Sequence, residues 1–257
     1  MHIFLDWPVL RLYVASFSAG VLNAMAGGGS FLSFPALLGV GTLPIQANAT
    51  NTVALWPGQF TSIAAYRDDY RHNLHLLVPL CIAAVLGGLS GGLVLLHTGQ
   101  VTFMHLVPWL LLMAALLFAV SGPVSGWLQS RPHVHSGPVA RVALYAGMVL
   151  VCFYIGYFGA GAGFLVMSLL GSYGVGEINH INALKVVTTS IANGVAVITF
   201  IVEKQVVWQH CVLMMLAAAI GGYLGGHYAR RVDPRWMRAI VVAIGLTMAT
   251  YFFWKQP

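Results

Sequence analysis

Two runs of small and polar residues in this 257-residue chain have the composition of a ligand site. The first is Asn23-Ala24-Met25-Ala26-Gly27-Gly28-Gly29-Ser30-Phe31, and the second is Gly156-Tyr157-Phe158-Gly159-Ala160-Gly161-Ala162-Gly163-Phe164. Glycine gives up the most backbone entropy on ordering, so such runs break a helix. A helix restarting after the break presents unpaired N–H groups and the positive end of its dipole, which suits an anion. About twenty residues after each break lies a second polar run. It reads Gln46-Ala47-Asn48-Ala49-Thr50-Asn51-Thr52 in one case and Asn179-His180-Ile181-Asn182-Ala183-Leu184-Lys185, then Thr188, Thr189 and Ser190, in the other. Amide and hydroxyl groups donate to oxyanions, and Lys185 adds a full charge.

The candidate anion contacts in the first half are Asn23, Gly27, Gly28, Gly29, Ser30, Asn48, Thr50, Asn51 and Thr52. In the second half they are Gly161, Ala162, Gly163, Asn182, Lys185 and Thr189. Each has a plainer alternative: close glycine packing with a kink, capping by Asn48 or Asn182, and snorkelling of Lys185 to an interface. The Gly159 string is not a dinucleotide loop, because no strand precedes it.

The elements that must hold these residues are set by composition. Hydrophobic residues make up 59% of the chain and charged ones 7%, with mean hydropathy +0.83. A soluble domain carries about 25% charged residues to keep its surface wet, so lipid must be the solvent here. The net charge of +6 fits basic membrane loops better than nucleic acid. Apolar stretches long enough to span are expected at 8–26 with a continuation to 40, 47–66, 75–96 and 103–121. Four more are expected at 140–158 with a continuation to 173, 181–202, 207–229 and 236–254. No cleaved signal peptide is expected, since no basic n-region precedes the first stretch. Trp7, Trp109, Trp127, Trp208, Trp236 and Trp254 lie near expected span ends, as an interfacial belt would. Trp56 stands nearer a span centre, just before Pro57.

The chain repeats itself. A shift of 134 places Gly27 and Gly29 on Gly161 and Gly163, and Asn48-Ala49 on Asn182-Ala183. The same shift places Gly87, Gly88, Gly91 and Gly92 on Gly221, Gly222, Gly225 and Gly226. These last two groups read as packing surfaces for close helix approach. The expected division is 1–121 as a first membrane repeat, 122–139 as a linker and 140–257 as a second repeat. If every stretch spans, seven basic loop residues face one side and four the other. If each first stretch turns back at its glycine break, Arg67, Arg71, Arg131, Arg141, Arg230, Arg231, Arg235 and Arg238 share one face. Arg11, Lys204 and Lys255 then share the other, a clear positive-inside bias. The expected fold is therefore an all-α polytopic membrane protein of two inverted repeats. Each has a broken, re-entrant-like first helix pair followed by three spans.

Paired breaks at matching places point to a transporter's midplane site. Lys185 lies inside an expected span, where a cation is costly and marks function by default. No acidic residue falls at an expected span centre, which argues against an acidic-ring cation channel. His72/His75 and His133/His135 lack the partners of a closed metal site, so neither metal nor cofactor is expected. Cys81, Cys152 and Cys211 read as small buried hydrophobes.

The duplicated pattern, Gly20 to Thr52 with Pro35 and Gly156 to Ser190, resembles the TauE/SafE family of sulfite exporters over nearly the whole chain. The second half departs from it with Gly161-Ala162-Gly163, and Met167-Ser168-Leu169 stands where Phe34-Pro35 would recur. The resemblance implies a bacterial or archaeal inner-membrane permease, not an enzyme. Its substrate would be a small sulfur-containing anion such as sulfite, thiosulfate or a sulfonate. The competing readings are an anion channel, or a membrane-bound sulfur-relay component acting through Cys152 or Cys81. The expected partners are the anion and the lipid bilayer, with room for a homodimer and a coupling proton or sodium ion, and no nucleic acid.

Overall fold

Glycine and proline punctuate an otherwise continuous apolar sequence, and the helices follow that punctuation. The computed structural model describes residues 7–25, 28–65, 74–129, 137–173, 178–229 and 234–255. Among them are ten helices: α1 (Trp7–Met25), α2 (Ser30–Gly39), α3 (Pro44–Ala65), α4 (Leu74–His97) and α5 (Gln100–Gln129). The second five are α6 (Pro138–Tyr157), α7 (Ala162–Ser172), α8 (Ile178–Val202), α9 (Trp208–Ala229) and α10 (Pro234–Trp254). No strand occurs among the described residues.

Both expected breaks are present. α2 has 10 residues and α7 has 11, so each is about 15–17 Å long, half of a bilayer core. Among the described residues, five helices are long and apolar enough to cross a membrane, through Leu76–His97, Gln100–Val120, Val139–Tyr157, His180–Val202 and Trp208–Gly225. α10 adds the shorter apolar segment Arg238–Trp254. α1 and α3 were expected to span on the same footing, but Arg11 in α1 and the amides and hydroxyls of α3 lower their apolarity. α5 continues to Gln129, eight residues into the segment expected as a linker. Residues 130–136, with His133 and His135, lie outside the described residues, as does His72.

The helix starts give the repeat its register. α3 and α8, α4 and α9, and α5 and α10 each begin 134 residues apart. The breaks do not share that offset. α1 and α6 end 132 apart, α2 and α7 begin 132 apart, and their N-caps are Gly29 and Gly161. Gly27 and Gly29 therefore correspond to Gly159 and Gly161, not to Gly161 and Gly163. The second half gains its two extra residues around the α7–α8 connection.

Packing follows the same duplication. α1 packs along α9, and α6 packs along α4. A Cβ on Gly221 would lie 2.0 Å from the Phe17 carbonyl oxygen, and one on Gly91 would lie 2.0 Å from that of Phe153. Gly87 meets Val149 and Gly225 meets Val21 in the same way. Only glycine lets these backbones touch, as close packing in lipid requires. α4 and α9 turn their larger residues outward: Val78, Ile82 and Leu86 on one, Val212, Leu216 and Ile220 on the other, all exposed. This four-residue spacing is one helix face, and lipid is its solvent.

Among the described residues two large apolar clusters fill the interior, with a small third of Ala19, Leu55 and Ala218 beside them. In one, Phe34 of α2 sits edge-on to Phe103 and Phe158, with ring centroids 6.4 and 5.7 Å away. In the other, Leu80, Met148, Cys152, Val166 and Leu184 join α4, α6, α7 and α8. Trp7, Trp208, Trp236 and Trp254 lie at or near helix ends and are exposed, as an interfacial belt requires.

Candidate functional site

The second break is built by two glycines in the left-handed region. Gly159 has φ +77° and Gly161, the N-cap of α7, has φ +73°, a conformation that costs other residues energy. The turn returns the Ala162 and Phe164 amides to the Gly159 and Gly161 carbonyls. The Gly163 amide between them belongs to the first helical turn, whose donors have no acceptor within their own helix. At the first break, a Cβ on Gly29 would lie 3.3 Å from the Cβ of Asn23, so Asn23 packs on the cap of α2. Gly28 packs on Val241 of α10. Gly27 lies outside the described residues.

Each half places one residue of its third helix against the first turn of its short helix. In the first half this is Asn51, which is buried. Its Nδ2 donates to Ser30 Oγ at 3.1 Å, and its Oδ1 accepts from the Ser33 hydroxyl. In the second half it is Lys185, the equivalent of Asn51 at the 134 offset. A Cβ on Gly163 would lie 3.6 Å from Lys185 Cδ, so the lysine stem crosses the start of α7. Its ammonium donates to Asn182 Oδ1 at 3.1 Å. Because α8 begins at Ile178, Lys185 is the eighth residue of a 25-residue helix, deeper than the expected span start implied. Glu203 is the one acidic residue among the described residues, and no ion pair to Lys185 is present among them.

One turn beyond Lys185, Thr188 is fully buried, and its hydroxyl has no hydrogen-bond partner among the described residues. A buried polar group left unpaired is uncommon in native interiors. Thr189 is satisfied locally, by the Lys185 carbonyl at 2.8 Å.

Other candidates hold the halves together. Asn48 Nδ2 donates to the Tyr157 carbonyl at 3.1 Å, covering one of the carbonyls that the end of α6 leaves open. Asn48→Ala is expected to lower thermal stability by about 1–3 kcal/mol, the cost of orphaning a buried carbonyl, read in a melting experiment. Thr52 donates back to the Asn48 carbonyl. Thr50 faces α9 instead of the Asn51 cluster: its Oγ1 accepts from the Val207 N–H at 3.0 Å.

Three polar residues that the sequence did not single out belong to this region. Ser33 completes the Asn51 cluster, while Asn193 Nδ2 donates to Gln59 Oε1 at 2.9 Å between α8 and α3. Beside that pair the Trp56 indole donates to the Ser190 carbonyl at 3.0 Å. Gln59 and Asn193 also stand 134 apart, so an amide repeated in register was the available signal.

Among the described residues, no group of three His, Cys, Asp or Glu residues is placed to hold a metal ion. Cys152 and Cys211 are buried and Cys81 is half-buried, all three as free thiols.

The family model described as "Sulfite exporter TauE/SafE" matches residues 12–252. The chain is 27% identical over 242 residues to "Probable membrane transporter protein ORF9" of Sinorhizobium sp, covering 93% of this chain and 89% of that protein. It is 24% identical over 249 residues to a "Probable membrane transporter protein" of Haemophilus influenzae, covering 95% and 94%. It is 23% identical over 257 residues to "Probable membrane transporter protein YfcA" of Escherichia coli K12, covering 96% and 91%. No solved structure matches the chain significantly.

Proposed function

The chain belongs to the sulfite exporter TauE/SafE family, and from that premise we propose that this multi-pass membrane transporter carries a small sulfur-containing anion by alternating access. The observation that carries the reading is Lys185: a cation inside a membrane helix, laid over the first turn of α7 and partnered by a neutral amide. A charge kept in that position at such cost serves a charge of the opposite sign. Two equivalent half-sites then frame the path. One is neutral and preorganised, with Asn51 held between Ser30 and Ser33. The other is cationic, with Lys185 steered by Asn182, the first-turn amide of Gly163, and the unpaired Thr188 hydroxyl one turn away. Oxyanions of sulfur match this set, since several acceptor oxygens share one compact charge. The two repeats lie inverted in the membrane and rock against each other around the site.

A binding screen on purified protein tests the reading. Sulfite, thiosulfate and taurine are compared with acetate and chloride by thermal shift. A ligand at 100 times its Kd stabilises by about 2.7 kcal/mol, so at least one sulfur anion is expected to raise the melting temperature while acetate and chloride do not. Equal shifts for all five, or none for any, contradict it.

The relay alternative needs a reactive thiol. Replacing Cys81, Cys152 and Cys211 together with alanine is expected to leave radiolabelled sulfite uptake into proteoliposomes intact. Loss of uptake from correctly folded triple variant supports the relay instead.

A further inference from the structure

Several hydroxyls on these helices fold back on their own backbone. Ser16, Thr52, Thr189 and Thr199 each donate to the carbonyl four residues earlier, which satisfies a hydroxyl in an apolar setting. Thr188 of α8 does not. It is fully buried, and its Oγ1 has no hydrogen-bond partner among the described residues. The other two such atoms, on Ser168 and His210, belong to residues that are only half-buried. Native interiors leave few polar groups in this state. Packing does not explain the hydroxyl either. At the 134 offset the equivalent of Thr188 is Ala54, which is also buried, so a plain methyl suffices at that register of the fold.

The place of Thr188 is set by α7 and α8. Residues 173–177 join the two helices, and Gly163 at the start of α7 meets the Lys185 stem, so they run antiparallel. The turn of α8 that follows Lys185 is then level with the glycine break at 159–161. Thr188 follows Leu184 by four residues on one helix face, and Leu184 shares an apolar cluster with Ala162 and Val166 of α7. Side chains on a helix lean toward its N-terminus. Thr188 therefore leans over the turn that carries Lys185, its neighbour at the three-residue spacing.

Three donors of different kinds are thus grouped at the start of α7: the Lys185 ammonium, the Gly163 amide and the Thr188 hydroxyl. A sulfite or sulfonate head presents three oxygens, and a carboxylate presents two. We propose that Thr188 is the specificity-determining residue of the anion site, donating to the third oxygen of an SO3 head and so selecting it over a carboxylate of the same charge. The inference rests on the sulfur-anion reading above. A carboxylate held by Lys185 and Gly163 leaves the Thr188 hydroxyl as unpaired as it was before binding, so it gains nothing there. The SO3 head gains a hydrogen bond to a charged group, which is roughly 10- to 150-fold in affinity.

Sulfite and methanesulfonate are compared with acetate, by thermal shift on purified protein, to test this. Methanesulfonate differs from acetate only in its head group. The wild type is expected to prefer the SO3 anions. In Thr188→Val, which keeps the shape and removes the hydroxyl, their affinity is expected to fall roughly tenfold or more, while that of acetate, already weak, is unchanged. The ligand-free variant is expected to melt no lower than the wild type, since an unpaired buried hydroxyl costs energy that a methyl does not. Thr188→Ser should keep the preference. Thr188→Ala, with the residue already found at position 54, replaces the valine variant if that one misfolds. The proposal is overturned if removing the hydroxyl leaves the wild-type preference intact. It is equally overturned if the variant melts lower and binds all three anions proportionally worse, the mark of a structural role. In both cases the sulfur-anion reading stands. A wild type without preference for either SO3 anion removes that reading, and this one with it.

Discussion

Replacing Lys185 with methionine is expected to lower kcat/KM for sulfite uptake by roughly 10- to 150-fold, with the folded yield unchanged or improved. Methionine keeps the unbranched stem that crosses Gly163 and removes only the ammonium. A hydrogen bond to a charged group contributes about 1.5–3 kcal/mol, and that range converts to the stated factor. Folding should not suffer, because a cation within a membrane helix costs energy that methionine does not. The Asn182 side chain loses one donor and stays half-buried at the same place. Lys185→Arg keeps the charge but replaces a compact ammonium by a planar fork, so it should fall between the wild type and Lys185→Met. If Lys185 only snorkels to the interface, uptake by Lys185→Met stays at the wild-type level.

The other large effect is structural. Gly91→Val is expected to abolish the folded, monodisperse protein, while Gly92→Ala one residue along should leave it intact. A Cβ on Gly91 meets the Phe153 carbonyl oxygen at 2.0 Å and the Tyr157 amide nitrogen at 2.9 Å, both backbone atoms that cannot rotate away. Overpacking a tight interior by a few methylenes costs about 1–3 kcal/mol where side chains can adjust. Here the whole of α6 must retreat from α4, so the loss exceeds that range. On Gly92 the nearest atoms are a Phe200 ring carbon at 3.7 Å and Ala196 at 3.8 Å, an ordinary contact. Size-exclusion profiles of the two variants decide the matter. Equal profiles contradict the assignment of these glycines to helix packing.

Much of the fold could be read before any coordinates. The helix breaks at 28–29 and 158–161 follow from glycine content, and the shift of 134 holds for α3 to α5 against α8 to α10. What misled was the glycine string itself. With glycines at 159, 161 and 163, the pair Gly27/Gly29 matches at either of two registers, and only the caps select the offset of 132. The end of α5 was missed because Gly122, Pro123 and Gly126 are turn residues in most settings, yet the helix runs through them to Gln129.

The geometry of the candidate site was legible in part. Asn51 and Lys185 stood out as equivalent polar positions, and each does meet the first turn of its own short helix. Thr50 looked the same in sequence but turns one residue further round α3, which sends its hydroxyl to α9. Gln59 and Asn193 were hidden because a single amide in an apolar run carries no local pattern. They acquire meaning only where α3 and α8 cross.

Counterflow in proteoliposomes is the most direct test of the whole account. Radiolabelled sulfite is supplied outside vesicles loaded with a saturating concentration of unlabelled sulfite. Alternating access predicts saturable uptake that is accelerated by the internal sulfite and is lowered at least about tenfold in Lys185→Met. Flux that rises in proportion to concentration, ignores the internal sulfite and survives Lys185→Met would contradict it and identify a channel.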